Sequence, residues 1–135
     1  VQYECDDGGY IVTNLTNMNT TLTPHLKGNN LSVTINVMAN GAIREVTCNK
    51  DIRKEDVIKE IEKETKKKVK SKLKKAIEIS KEYEADIFGI GNLFYKKYPN
   101  YFENIEDWYS VYQDVTFDYN LDIRVSTKGS VQKTI

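Results

Sequence analysis

Residues 51–83 constrain this chain more than any other stretch. Their apolar positions are Val57, Ile58, Ile61, Val69, Leu73, Ala76, Ile77 and Tyr83, at steps that are mostly three and four. That spacing draws one stripe along a helix. Thr65 and Ser80 occupy the two stripe positions left open, and no Pro or Gly interrupts the run. Asp51 stands where an N-cap is expected, and Glu55 and Asp56 put negative charge in the first turn, where the helix dipole favours it. A helix of this length reaches roughly 45 Å. It must carry a sheet across it or project from one.

The flanks read as strands. Residues 9–16 and 20–26 are threonine-rich and extended, with Pro24 marking an edge or a bend. Lys27-Gly28-Asn29-Asn30 is a turn by composition. Leu31, Val33, Ile35 and Val37 alternate with polar residues, and Asn40-Gly41 then signals a hairpin into a strand over 42–48. Ile43 and Val46 differ in parity, which predicts a bulge near Arg44-Glu45. After the long helix, Gly89 and Gly91 beside Ile and Phe indicate close backbone packing or a helix break. Residues 93–98 read as a short helix ended by Pro99, and Asn104 could cap a second over about 105–113. From Val115 to Ser126 the alternation is regular, with one face apolar and one wet. The expected fold is α+β: a mostly antiparallel sheet packed on one long helix, with two short helices before the last strand. The 135 residues are read as a single domain.

Charge is balanced overall, 20 bases against 20 acids, which argues against nucleic-acid binding. Along the chain it is uneven. Lys66, Lys67, Lys68, Lys70, Lys72, Lys74 and Lys75 fall in ten residues without an acid. Residues 100–123 hold Glu103, Glu106, Asp107, Asp114, Asp118 and Asp122 without a base. These are either two solvated faces, or the lysines meet an acidic partner or anionic lipid headgroups.

No catalytic set emerges. His25 follows Pro24 in an extended segment, with no metal-ligand spacing around it. Cys5 and Cys48 lie at strand edges without a local activating partner, and their pairing stays open. Glu106 and Asp107 are adjacent and diverge on a helix. The Gly89-x-Gly91 pair follows a helix and lacks the rest of a phosphate loop. Phe94, Tyr95, Tyr98, Tyr101, Phe102 and Trp108 read as core, the alternative being a small-ligand pocket near Tyr98, Tyr101 and Trp108. No metal or cofactor is expected. The opening Val1-Gln2-Tyr3-Glu4 alternates like a strand and reads as a cut in a longer protein.

Asp86-Ile87-Phe88-Gly89-Ile90-Gly91, then Tyr95-Lys96-Lys97-Tyr98-Pro99, Trp108, and a strand ending at Arg124 and Gly129 carry a likeness. Together they resemble the C-terminal domain of the Ger(x)C family, the lipoprotein C subunits of spore nutrient-germinant receptors. The resemblance covers nearly the whole chain and is most specific over residues 85–108. It implies a non-enzymatic interaction or structural module required for spore germination. Asp86, Phe88, Gly89, Gly91, Pro99, Trp108 and Gly129 would be its structural motif positions. It further implies membrane-spanning partner subunits. It places the domain on the outer face of the inner spore membrane, held by an N-terminal lipid anchor outside this fragment.

Overall fold

The computed structural model describes residues 1–127. Strands β1 (Gln2–Glu4), β2 (Tyr10–Lys27), β3 (Asn30–Val46) and β4 (Thr116–Ser126) form one sheet in that order. Between β3 and β4 come the long helix α1 (Glu55–Glu82) and the short helices α2 (Ile90–Lys97), α3 (Pro99–Glu103) and α4 (Trp108–Tyr112). The fold is mixed α+β, as the periodicities indicate. Where two short helices were expected there are three, because Pro99 both ends α2 and takes the first position of α3. Asn104 closes α3 instead of opening the next helix, and Asp107 caps α4 by accepting the Ser110 amide at 3.4 Å.

Two of the three strand pairings are antiparallel. Tyr3 lies opposite Ile11 in the first. The second is closed by the two-residue turn Gly28-Asn29, with positive φ at Gly28 alone, as a type II′ hairpin requires. The third differs. Asn36 meets Asn120, and Gly41 lies against Val125, so residue numbers rise together and β4 runs parallel to β3. A parallel pair needs a long crossover, which the helices supply.

The hairpin expected at Asn40-Gly41 is not there, since β3 continues through both residues. Gly41 serves packing instead: a Cβ on it would stand 3.1 Å from Val125 Cγ2 and 3.5 Å from Leu15 Cδ2. The predicted parity change in β3 is present, with Ile43 buried, Arg44 and Glu45 both exposed and Val46 half-buried. A matching slip occurs in β2. Ile11 and Thr13 are shielded on odd numbers and Leu22, Pro24 and Leu26 on even ones, on either side of Asn17, whose φ is 52°. Pro24 is tolerated inside β2 because β1 pairs only with its first residues, so that among the described residues no strand pairs with that edge at Pro24.

Helix α1 starts later than expected. Asp51 is not its N-cap. The Asp51 carboxylate instead accepts the Arg53 amide at 3.0 Å and pairs with its guanidinium, and Glu55 and Asp56 fill the first turn. Thr65 and Ser80 are buried in the stripe as anticipated, at 0% and 1% exposure. Tyr83, expected to continue it, is 72% exposed, because the helix stops at Glu82 and Glu84 turns to a φ of 50°.

The chain divides into two compact units. One comprises Val1–Asn19, Val37–Lys72 and, among the described residues, 121–127. Its core joins Tyr3, Ile11, Ala39, Ile43, Ile61, Ile123 and Val125, with Val57, Ile58 and Val69 packed on it. Thr13 and Thr65 share a buried hydroxyl contact at 3.4 Å, and Glu62 accepts the Val125 amide at 2.9 Å. Cys5 and Cys48 are joined by a disulfide, which settles the pairing the sequence left open. The other unit comprises Thr20–Asn36 and Leu73–Asn120. It buries Leu31, Val33, Ile35, Ile77, Ile90, Phe94, Tyr112 and Val115.

Candidate functional site: the Asp86 to Trp108 motif and the lysines of α1

The segment that leaves α1 is organised by one carboxylate. Ala85 donates its amide back to Ser80 O at 2.9 Å, and Gly89, at φ 67°, directs the chain into α2. Asp86 Oδ1 then accepts the Ile90 amide at 2.8 Å. Oδ2 accepts the Gly91 amide at 2.7 Å and the Trp108 indole N–H at 3.2 Å. The anion lies at the positive end of the α2 dipole and ties that end to α4. Gly91 is required by the same closure, because a Cβ there would stand 3.0 Å from Trp108 Nε1 and 3.2 Å from Asp86 Oδ2. Of the seven motif positions, the structure thus joins Asp86, Gly89, Gly91 and Trp108. Phe88 is half-buried beside them, Pro99 begins α3, and Gly129 lies outside the described residues.

Around this knot the aromatic rings pack on one another. Trp108 lies 6.1 Å from Phe94, 5.5 Å from Phe102 and 5.7 Å from Tyr112 between ring centroids. Tyr98 stacks on Phe94 at 6.3 Å, and Tyr95 meets Phe102 edge-on at 5.7 Å. The Tyr112 hydroxyl shares a 2.5 Å hydrogen bond with Ser80 Oγ, which in turn donates to Ile77 O, and burial raises the phenol's pKa. Lys81 donates to Gln113 O and Val115 O at 3.2 and 2.7 Å, while Gln113 Nε2 donates back to Lys81 O at 2.8 Å. Sequence reading missed the Ser80 and Lys81 contacts; a polar residue inside an apolar stripe was the only hint of the first. Of the six aromatic residues read as core, Phe94 is buried, Tyr98, Tyr101, Phe102 and Trp108 are half-buried, and Tyr95 is exposed.

The seven candidate lysines divide by helical position. At 100° per residue, Lys67, Lys70 and Lys74 share the face opposite Ile61 and Thr65, whereas Lys68, Lys72 and Lys75, though exposed, lie on the flank toward β1, within about 60° of the Ile61–Thr65 direction, and half-buried Lys66 borders the core. Lys59 and Lys63, outside the segment first singled out, stand in line with Lys67 and Lys70; their four-residue spacing was legible in the sequence. Lys59 pairs locally with Glu55 at 3.6 Å, and Lys67 with Glu64 at 3.4 Å. The acids of the 100–123 stretch are all exposed.

Metal-ligand atoms converge at one place among the described residues, where Cys5, Asp7 and Cys48 come within 4.8 Å. Both sulfurs are in the disulfide, and Asp7 accepts the amides of Gly9 and Asn49 at 3.1 and 2.9 Å. Those amides hold its carboxyl below the usual range. The group is a structural tie. His25 Nε2 contacts Thr34 Oγ1 at 2.9 Å across the β2–β3 hairpin, consistent with a side chain serving the turn.

Comparison with known proteins agrees with this architecture. No curated protein matches the sequence. The crystal structure of the GerBC protein superposes with a TM-score of 0.76 at 16% identity, over 93% of this chain and 40% of that one. At that identity the likeness is one of fold, and the chain spans less than half of the other protein. The family model described as spore germination B3/GerAC-like, C-terminal, matches residues 1–129. The chain therefore belongs to the spore germination B3/GerAC-like C-terminal family.

Proposed function

We propose that this domain is a non-enzymatic interaction and structural module of a germinant-receptor C subunit. In this reading it works beside membrane-spanning receptor subunits at the inner spore membrane, and the lipid anchor belongs to sequence outside the fragment. Family membership supplies the germination role. The observation that carries the non-enzymatic part is the use of the motif's single carboxylate. Asp86 accepts three hydrogen bonds from the fold itself, from Ile90, Gly91 and Trp108, and so is engaged in construction rather than poised for proton transfer.

The test is genetic and biochemical together. In the full subunit, Gly91→Leu, which cannot fit beside Trp108, is expected to abolish both co-purification with the membrane subunits and nutrient-triggered germination. Neutralising exposed acids one at a time, as in Glu103→Gln or Asp114→Asn, is expected to leave both intact. A single such neutralisation that stopped germination while subunit abundance and assembly stayed normal would point to chemistry and overturn the reading.

A further inference from the structure

We propose that Lys59, Lys63, Lys67 and Lys70 on the outward face of α1 form a contact surface for an anionic bilayer. Their steps of four, four and three place them within an arc of about 80° and along about 16 Å of helix. All four are exposed, and the arc lies opposite Ile61 and Thr65, which are 1% and 0% exposed. Lys74, one turn further along the same helix, continues the line. No apolar or aromatic side chain falls within the arc.

The last point decides between partners. A protein interface is organised by a desolvated apolar or aromatic centre and is depleted in lysine. A line of lysines without such a centre suits a surface that asks only for charge of one sign in one plane, as a headgroup layer does. The cation type agrees. Helix α1 contains no Arg. Recognition of a phosphate at a fixed position favours the bidentate guanidinium, whereas ammonium groups on flexible stems follow a fluid surface. The pairs Lys59–Glu55 and Lys67–Glu64 are exposed and weak enough to exchange for lipid phosphate. With net charge zero, attraction must come from this local asymmetry and not from the molecule as a whole.

Two double reversals of equal charge separate position from total charge. Lys63→Glu with Lys70→Glu alters the line; Lys68→Glu with Lys72→Glu alters the flank beside β1. Each is sedimented with phosphatidylcholine vesicles carrying about one-third phosphatidylglycerol, and far-UV circular dichroism confirms the fold. The unaltered chain is expected to bind these vesicles, release in high salt and ignore pure phosphatidylcholine. The line variant should bind about tenfold or more weakly, and the flank variant nearly as the parent. Equal losses in both variants, or no binding by the parent, would overturn the assignment. So would capture of soluble polyglutamate without vesicles, which would transfer the lysines to an acidic protein. The proposal rests on α1 alone, so its failure leaves the germination reading standing, and the reverse also holds.

Discussion

At the scale of single residues, Asp86 and Tyr3 carry the clearest consequences. Asp86→Asn removes the anion and turns an N–H group toward donors it formerly accepted. The expected cost is about 1.5–3 kcal/mol in urea unfolding. Since the chain has one Trp, emission from Trp108 should shift with the loss of its hydrogen bond. Asp107→Asn, at an exposed cap, serves as the control, with less than about 1 kcal/mol expected; equal costs would mean that Asp86 is an ordinary cap. Tyr3 is 7% exposed, and its pKa is pushed up to about 12 by burial first and by the charges of Glu60 and Glu64 second. The unfolded chain releases that proton near the ordinary tyrosine value of 10.0, before the folded state does. Stability from this group is therefore complete below pH 10 and declines as pH rises from 10 toward about 12. Tyr3→Phe should flatten that part of the pH–stability curve relative to the parent; parallel curves would count against the burial of the phenol.

At the scale of elements, periodic signals were readable and pairing signals were not. The α1 stripe, including its polar members Thr65 and Ser80, follows from spacing along one helix, and the parity change at Arg44-Glu45 follows from spacing along one strand. Asn40-Gly41 was misread because its turn chemistry is local, whereas the reason for Gly41 is Val125, on a strand that arrives much later. The knot around Asp86 was legible as a motif but not as a set of hydrogen bonds, since Trp108 lies 22 residues away. The disulfide had no local signature either. It links the end of β1 to the segment after β3 across 43 residues, and Gly9 permits the approach, because a Cβ there would stand 2.6 Å from the Cys48 backbone. Loop closure of that size is worth about 4 kcal/mol on the chain-entropy account. Cys5→Ala with Cys48→Ala should lower unfolding stability by about 3–4 kcal/mol. Reductant should lower the parent equally and leave the double variant unchanged; a parent indifferent to reductant would mean that the bridge contributes nothing.

For the whole molecule, net neutrality hides a local arrangement. The acids of the 100–123 stretch are exposed, and basic charge is concentrated on α1, so ionic strength should affect association far more than folding. The parallel pairing of β3 and β4 has a consequence for biosynthesis. Asn36 and Asn120 are separated by 84 positions, so the sheet cannot acquire its fourth strand until the residues up to Ser126 have left the ribosome. Until then one side of β3 presents an open row of amides and carbonyls to the crowded cell. A message truncated ahead of Thr116 would make that exposure permanent, and its product should accumulate as insoluble material rather than as a shortened subunit.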